Sequence, residues 1–453
     1  MEISSLVKKY SVPVPRYTSY PTVPYWDETS FTSEKWIASV RESFEASNNA
    51  SGISLYIHLP YCESLCTYCG CNTRITKNHA VEEPYIKAVI KEWSLYKSHF
   101  TEVPRIKELH LGGGTPTFFK PENLKLLIDG ILEGCEVHPE AEFSFEGHPN
   151  NTTEAHLKTL YNLGFKRISL GIQDFDINVQ RIINRLQSYE QVELVTRQAR
   201  EIGYTSINYD LIYGLPLQNL DGLKDTVKKV IALKPDRIAF YSYAHVPWVK
   251  PGQRMFTELD LPDTEAKQEL YETGRKMFID AGYEEVGMDH FALKTDSLYL
   301  AEQDGKLHRN FMGYTHQYTR LMIGLGVSSI SDTWTAFAQN VKSVEAYLKL
   351  IANNAIPVFK GHSLNDEDLL MRKHILSIMC QGKTEWTAED FQNTSFATAL
   401  YHLNDVLADK LIERQQYGLT VTKHGKRFLR NICSAFDARL WKKQPDKQIF
   451  SLG

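Results

Sequence analysis

From about residue 51, short apolar and β-rich runs alternate with longer stretches of helical periodicity, which is typical of a parallel sheet built from βα units. The pattern predicts six strands, at residues 53–57, 108–111, 142–145, 167–171, 206–212 and 237–241. It predicts helices at residues 82–96, 123–133, 154–163, 191–202, 220–233 and 264–281. Six successive βα units fit either an open doubly wound sheet or an incomplete (β/α) barrel.

Polar or glycine-rich residues follow each of the six predicted strands. They occupy residues 58–62, 112–116, 146, 173–174, 210–216 and 242–245. In both architectures, ligands bind at the C-terminal ends of the strands. We therefore expect these residues to form one shared site.

The segments on either side of the predicted sheet differ in character. Residues 1–50 contain Pro15-Arg16-Tyr17-Thr18-Ser19-Tyr20-Pro21, which is too rich in proline and hydroxyl groups for a helix and predicts an extended arm. Beyond about residue 355 the pattern predicts helices at 366–379 and 397–411, then a strand at 419–422 and an amphipathic helix, which resembles a winged-helix hairpin. The expected domains are the arm 1–50, a partial barrel with its elaboration 51–354, and a mainly helical, winged-helix-like domain 355–453.

Composition narrows the class of protein. Hydrophobic residues make up 42% of the 453 residues and charged residues 23%, as in a folded globular protein. No stretch approaches the roughly 18 apolar residues that span a bilayer, and the N-terminus lacks the apolar core of a signal peptide, so we expect a cytoplasmic protein. The net charge of −4, with a basic run only at Trp441-Lys442-Lys443, disfavours nucleic-acid binding. We expect a monomer whose C-terminal domain caps the site or docks a partner.

Four of the seven cysteines lie within ten residues: Cys62, Cys66, Cys69 and Cys71. An odd number of cysteines argues against a disulfide framework, and the remaining three, Cys135, Cys380 and Cys433, are expected to be small buried hydrophobic residues. Thiolates are soft ligands for iron–sulfur clusters and for zinc. Three close cysteines can hold three irons of a [4Fe-4S] cube and leave the fourth iron open. A zinc site with Cys71 as fourth ligand is the alternative.

An aromatic residue, Tyr68, directly precedes the third cysteine of the run. The resulting pattern Cys-x3-Cys-x-aromatic-Cys resembles the signature of the radical S-adenosylmethionine superfamily. The glycine-rich run Gly112-Gly113-Gly114-Thr115-Pro116 after the second strand strengthens the resemblance, because the absence of Cβ lets the backbone approach a ligand closely. The resemblance implies a [4Fe-4S] cluster on Cys62, Cys66 and Cys69, with the open iron binding S-adenosylmethionine.

Further motifs over nearly the whole chain resemble one family within that superfamily, the oxygen-independent coproporphyrinogen III oxidases. They include Cys69-Gly70-Cys71-Asn72, the Pro-Arg-Tyr-Thr-Ser-Tyr-Pro arm, and residues 171–175, 210–216, 243–245, 287–292, 308–311 and 430–433. This resemblance implies two S-adenosylmethionine molecules in one site. The first would contact Tyr56, Gly112, Glu146 and Ile330. The second would contact Tyr68, Gly113, Gly114, Gln173, Arg185, Asp210 and Ala244.

The family resemblance also implies a reaction. Two propionate side chains of coproporphyrinogen III would be decarboxylated oxidatively to vinyl groups, giving protoporphyrinogen IX for haem synthesis. Cys71 and Glu146 would have catalytic roles, and a low-potential donor such as flavodoxin or ferredoxin would supply electrons. We expect Arg16, Tyr17 and Tyr20 of the arm to reach across the barrel mouth to the substrate. The alternative is that the arm only covers an apolar rim.

Three positions depart from the family pattern. His148 stands where relatives often have Asp, Met312 where they often have Gln, and His316 where the common Tyr-Thr-Thr becomes Tyr-Thr-His. No contact is carried over to these residues. Two other functions stay open: a non-enzymatic haem-binding chaperone, in which the position of Cys71 is usually aromatic and the arm is absent, and a zinc-stabilised interaction protein.

Overall fold

The computed structural model describes residues 3–442, so residues 1–2 of the predicted arm and residues 443–453 of the predicted C-terminal domain, including Lys443 of the basic run, lie outside the described residues. The strands are β1 Ile53–Leu59, β2 Tyr61–Cys62, β3 Arg74–Ile75, β4 Arg105–Gly113, β5 Glu136–Gly147, β6 Phe165–Gln173, β7 Ser206–Tyr213, β8 Arg237–Ser242, β9 Glu284–Val286, β10 His290–Ala292, β11 His308–Asn310, β12 Gly313–Thr315, β13 Met322–Leu325, β14 Ile330–Asp332, β15 Ala336–Asn340, β16 Val358–Ser363, β17 Lys383–Glu385, β18 Ile412–Gln415 and β19 Gly418–Val421.

The helices are α1 Ile3–Tyr10, α2 Ser33–Ser47, α3 Glu82–Lys97, α4 Pro121–Leu132, α5 Glu154–Asn162, α6 Ile177–Ile182, α7 Tyr189–Ile202, α8 Leu220–Leu233, α9 Thr264–Asp280, α10 Ser297–Gln303, α11 Val344–Ala352, α12 Asp366–Gln381, α13 Thr394–His402, α14 Asn404–Ala408, α15 Leu429–Ser434 and α16 Ala438–Lys442. Within the part of the chain that the structure describes, no helix combines the length and apolarity needed to span a bilayer.

The main sheet has twelve strands in the order β16-β15-β14-β13-β1-β4-β5-β6-β7-β8-β10-β9. The six strands predicted from the pattern are its parallel centre, and the sheet is open at both edges, as expected of an incomplete barrel. The sequence did not predict the remaining strands. The strand β13 pairs parallel with β1, and the short strands β9, β10 and β14 to β16 extend the edges in antiparallel fashion.

The parallel strands are covered on both faces. All seven residues of β1 are buried, and α3 packs Tyr85, Val89 and Trp93 into the same core. Between the strands, Glu142 of β5 pairs with Arg167 of β6, and Arg237 Nε of β8 lies 2.5 Å from Oδ1 of Asp296, which precedes α10. These ion pairs fill the end of the barrel opposite to the expected site.

The predicted extended arm is only partly correct. Residues 11–32 lack long regular structure, but α1 and α2 are helices on either side of them. Helix α2 has its own signal: Thr32 accepts a hydrogen bond from the Lys35 amide as N-cap, and Trp36, Val40 and Phe44 recur every four residues on its buried face. The proline-rich run at residues 15–21 therefore predicts the structure of only a part of residues 1–50.

The C-terminal part differs from its prediction in two details. The strand β16 belongs to the main sheet, so the sheet continues past the predicted boundary at residue 354. The helix predicted at 397–411 is divided into α13 and α14. The predicted strand is β19, which forms an antiparallel hairpin with β18 and also pairs with β17. Cys380 and Cys433 are buried as predicted, whereas Cys135 is half-buried.

Tyr17 and Tyr20 belong to the core of the C-terminal part and not to the barrel mouth. Their side chains are 1% and 2% exposed and pack in the same cluster as residues of α12, α13 and α15. The Tyr17 hydroxyl donates a hydrogen bond of 3.2 Å to Asp437 Oδ2. The prediction that both rings reach across the mouth is therefore wrong, because their apolar faces are buried where the arm crosses the helical domain.

Replacing Tyr17 by Phe is expected to lower the free energy of unfolding by about 1–3 kcal/mol, because a buried carboxyl loses one of its donors. Burial raises the pKa of Asp437 to about 6, so this group has little solvent to replace the lost bond. Urea denaturation followed by circular dichroism measures the change. The control is Tyr401→Phe at a ring that is 72% exposed. Equal stability of both variants and the wild type would contradict the role of this hydrogen bond.

Candidate active site

A cavity of about 430 Å³ opens at the C-terminal ends of the parallel strands. The predicted shared site is therefore present. Eleven of the predicted site residues line this cavity: Cys62, Cys66, Tyr68, Cys69, Cys71, Gly113, Gly114, Glu146, Gln173, Arg185 and Asp210.

Four predicted contact residues do not line the cavity. Tyr56 and Gly112 lie behind Glu146: a Cβ built on Gly112 would come within 3.0 Å of the Tyr56 ring and 3.1 Å of Glu146 Oε1. Ile330 begins β14, where its carbonyl faces Gly324, the neighbour of Tyr56 in the β1–β13 register. The carbonyl of Ala244 accepts a hydrogen bond from Gln253, which also donates to the Tyr68 carbonyl in the cysteine loop. Contact of these four residues with S-adenosylmethionine stays a prediction.

Cys62 ends β2, Cys66 and Cys69 lie on the loop that follows it, and each sulfur has a polar neighbour. Cys62 Sγ lies 3.2 Å from the Thr115 hydroxyl. Arg185 Nη1 donates to Cys66 Sγ at 3.6 Å, and the Cys71 amide donates to Cys69 Sγ at 3.4 Å. Burial raises the pKa of Cys62 to about 11, whereas the hydrogen bond with the Cys71 thiol, assisted by the Cys71 amide, lowers the pKa of Cys69 to about 6.

The glycine run at the end of β4 is explained by close packing of protein against protein. A Cβ on Gly113, whose φ is +111°, would lie 2.7 Å from the His58 ring, and a Cβ on Gly114 would lie 2.6 Å from the Pro60 carbonyl carbon. The space beside these glycines is thus filled by β1 and the residue after it. The missing side chains of Gly113 and Gly114 therefore make room for β1 and Pro60, although both glycines also line the cavity.

Two carboxylates line the cavity with different surroundings. Glu146 accepts from the Gly113 amide at 3.3 Å, and its Oε1 lies 3.5 Å from His110 Nε2. Burial opposes ionisation of Glu146, but His110 and the amide together hold its pKa below the usual range. The pKa of Asp210 is raised by burial and by the charge of Glu146, although Ser169 and Asn208 donate to it at 3.0 and 2.8 Å.

Arg185 reaches the cavity from the residues that follow α6. Its Nη2 donates to the Gly171 carbonyl at 2.7 Å while Nη1 faces Cys66, so the guanidinium lies between the end of β6 and the cysteine loop. A Cβ on Gly171 would lie 2.8 Å from this Nη2, so a larger residue there would displace the guanidinium. Gln173, at φ +64°, turns the chain out of β6 beside it.

Gln253 is a buried residue of the site region that the sequence did not indicate. Its Nε2 donates to the carbonyls of Tyr68 at 3.1 Å and Ala244 at 3.2 Å, which ties the cysteine loop to the segment after β8. The preceding Pro251-Gly252 predicts a turn, but nothing in the sequence indicates that Gln253 is buried.

The three departures from the family pattern lie in different places. His148 lines the cavity, and its Nδ1 accepts from the Asn150 amide at 3.1 Å, so the proton of the neutral ring is on Nε2. Burial and the charge of Arg185 lower the pKa of His148 to about 3. Met312 lies in the turn between β11 and β12. His316 Nε2 lies 3.3 Å from Glu142 Oε2, in the ion-pair layer at the far end of the barrel.

The donor set fits a cluster of several irons. Among residues 3–442, no group of three or more His, Cys, Asp or Glu side chains is placed to hold a single metal ion. Three thiols that line one cavity suit a cube in which each thiolate binds its own iron, whereas a structural zinc site needs four ligands in a tetrahedron around one ion. Arg185 Nε and Asn208 Oδ1 are buried without hydrogen-bond partners in this described range, which fits a polar ligand bound beside them.

Comparison with known proteins shows which family this chain resembles over its length. The family model of the radical SAM superfamily matches residues 56–230. An oxygen-independent coproporphyrinogen III oxidase from Synechocystis sp. is 36% identical over 99% of this chain and 97% of its own length. The one from Escherichia coli strain K12 is 35% identical over 98% of this chain and 97% of its own.

A solved structure extends the similarity to three dimensions. Coproporphyrinogen III oxidase from Escherichia coli, described as a radical SAM enzyme, has a TM-score of 0.88 to this chain. The two chains are 33% identical, and the match covers 96% of this chain and 99% of the other.

Proposed function

Since this chain belongs to the oxygen-independent coproporphyrinogen III oxidase family of radical SAM enzymes, we propose that it decarboxylates two propionates of coproporphyrinogen III oxidatively to vinyl groups, giving protoporphyrinogen IX. Its cofactors are a [4Fe-4S] cluster and S-adenosylmethionine. One observation of the site supports this function most strongly. Three cluster cysteines, two carboxylates and a half-buried guanidinium line one cavity at the barrel mouth.

The cofactors provide what the side chains cannot. When bound, the reduced cluster and S-adenosylmethionine supply a radical that removes a hydrogen atom from the unactivated β-carbon of a propionate. The protein binds and orients the reactants and limits access of water. Cys62, Cys66 and Cys69 would hold the cluster, and the Thr115 hydroxyl and Arg185 would stabilise the anionic sulfurs by donating to them.

Glu146 is the residue that we assign to the first S-adenosylmethionine. Because its carboxylate is held ionised by His110 and the Gly113 amide, it can accept hydrogen bonds from an ammonium group or from ribose hydroxyls. Tyr56, Gly112 and Ile330 would act behind it as positioning residues.

Arg185 and Asp210 are assigned to a second S-adenosylmethionine. The planar fork of Arg185 suits a carboxylate, and Asp210 suits an ammonium group or a ribose. Tyr68, Gln173 and the backbone of Gly113 and Gly114 line the same part of the cavity, and Ala244 would contribute through its link to Gln253.

Cys71 lies next to Cys69, whose sulfur raises the pKa of the Cys71 thiol far above its usual range by hydrogen bonding and charge. We assign Cys71 a catalytic role apart from cluster ligation.

We also propose an electron donor, a location and an oligomeric state for the protein. Residues Glu63, Ser64 and Leu65, between the first two cysteines, are exposed at the surface. A small acidic or iron–sulfur electron carrier such as flavodoxin or ferredoxin could therefore approach the cluster within electron-transfer distance. We propose that the protein acts in the cytoplasm as a monomer.

An anaerobic assay tests the function. Protein reconstituted with iron and sulfide is incubated with dithionite, S-adenosylmethionine and coproporphyrinogen III, and the porphyrins are separated after oxidation. We expect protoporphyrin and one 5′-deoxyadenosine for each vinyl group formed. Binding of haem with no conversion of coproporphyrinogen III would instead identify a haem-binding chaperone.

A further inference from the structure

Two cations from distant parts of the chain bind consecutive carbonyls at the end of β8. Arg16 Nη2 donates to the Ser242 carbonyl at 2.8 Å, and Lys267 Nζ donates to the Tyr243 carbonyl at 2.9 Å. Arg16 belongs to the arm and Lys267 to the first turns of α9. Across residues 3–442, no carboxylate lies within 4.0 Å of either charged group.

The arm is fixed so that Arg16 reaches this place. Arg430 donates to the carbonyls of Val14 and Pro15, the latter at 3.1 Å, and Arg309 Nη2 donates to the Arg16 carbonyl at 3.3 Å. Two arginines from other elements thus hold the backbone of the arm on both sides of the Arg16 side chain.

Lys267 reaches the same place because of a glycine. Gly214, at φ +83°, follows β7, and a Cβ there would lie 2.7 Å from Lys267 Cε. The stem of Lys267 therefore runs across Gly214 to bring its ammonium group to β8. Burial and the charges of Arg16 and Arg430 lower the pKa of Lys267 to about 8.

Arg16 lies near one wall of the cavity, although neither it nor Lys267 is among the lining residues. Tyr241 lines the cavity beside Asp210 and directly precedes Ser242. The guanidinium carbon of Arg16 lies 5.8 Å from the centre of the Tyr241 ring. An anion bound by Arg16 and Lys267 would therefore lie next to the space assigned to the reactants.

We propose that Arg16 and Lys267 together bind a propionate carboxylate of the tetrapyrrole that is not reacting. This inference rests on the proposed function. The substrate carries four carboxylates, and only one can be placed at the reacting position at a time. Half-buried like charges whose partners are neutral carbonyls are stabilised when an anion arrives, and a guanidinium fork with a neighbouring ammonium suits a carboxylate.

The test measures steady-state kinetics with coproporphyrinogen III for Arg16→Met and Lys267→Met. For each variant we expect the KM for coproporphyrinogen III to rise about ten- to hundredfold, as for loss of one charge-assisted hydrogen bond. Cluster absorbance and S-adenosylmethionine cleavage in the absence of substrate should stay at wild-type values. The control is Lys8→Met, because Lys8 pairs with exposed Glu265 on the same helix α9 as Lys267.

The conservative variants Arg16→Lys and Lys267→Arg keep the charge and should recover most of the affinity. An unchanged KM in either methionine variant, or a lower kcat at unchanged KM, would overturn the inference, as would an equal rise in KM in Lys8→Met. If a methionine variant does not fold, the KM of the conservative variant at the same position is measured at low and at high salt. A KM that rises at high salt supports an ionic contact, and a KM that does not depend on salt excludes it. Absence of turnover in the wild type would reject the proposed function itself.

Discussion

Replacing Cys62, Cys66 or Cys69 by serine is expected to remove the iron–sulfur cluster and all cleavage of S-adenosylmethionine. Each sulfur lines the same cavity, and a serine hydroxyl is too hard and too weakly acidic to replace a thiolate on iron. Iron and sulfide content after anaerobic reconstitution and the absorbance near 400 nm measure the loss. Cys135, Cys380 and Cys433 cannot replace them, because these three cysteines lie outside the cavity, whereas Cys71 lines it and needs its own variant.

Two further variants make this result specific. Cys135→Ser changes a half-buried cysteine outside the cavity and should keep the full cluster. Cys71→Ser should also keep the cluster while losing coproporphyrinogen conversion, because Cys71 is assigned a role in the reaction. If Cys71→Ser lost the cluster and one of the other three cysteines proved dispensable, the assignment of the ligands would be wrong.

The central strands could be predicted because long parallel strands leave a strong pattern. Strands such as β6 and β7 are apolar runs separated by helices of regular period, and their order follows from the βα connection. The strands β9, β10 and β13 to β15 have three to five residues and no helix between most of them. Such short runs resemble loops, and only their pairing with the edges of the existing sheet stabilises them.

The site residues could be predicted where chemistry and spacing coincide, as in the cysteine run. Side chains whose role depends on a distant partner could not. Tyr17 and Tyr20 looked suited to a tetrapyrrole, yet their burial is decided by helices more than 350 residues later in the chain. Gln253 and Lys267 were missed because their partners are backbone carbonyls, which leave no signal in the sequence.

Replacing Arg185 by methionine is expected to reduce the number of S-adenosylmethionine molecules bound per chain from two to one. Methionine keeps the length of the side chain but loses the guanidinium, whose Nε is buried without a partner in the described structure and is left for a ligand. Equilibrium dialysis of the reconstituted protein measures the stoichiometry. Asp210→Asn removes the opposite charge from the same part of the cavity and should have the same effect.

Loss of nucleotide binding has to be distinguished from loss of the cluster, because Arg185 also donates to Cys66. Iron content is therefore measured on each sample, and Asp210→Asn provides the second variant, because the side-chain donors to Asp210 in the described structure are Ser169 and Asn208 and not a cysteine. Arg181→Met, an exposed arginine in the neighbouring α6, controls for loss of positive charge and should still bind two. A wild-type stoichiometry of one with conversion of coproporphyrinogen intact would show that Arg185 and Asp210 do not hold a second nucleotide. In that case the unpaired Nε would be available to the substrate itself.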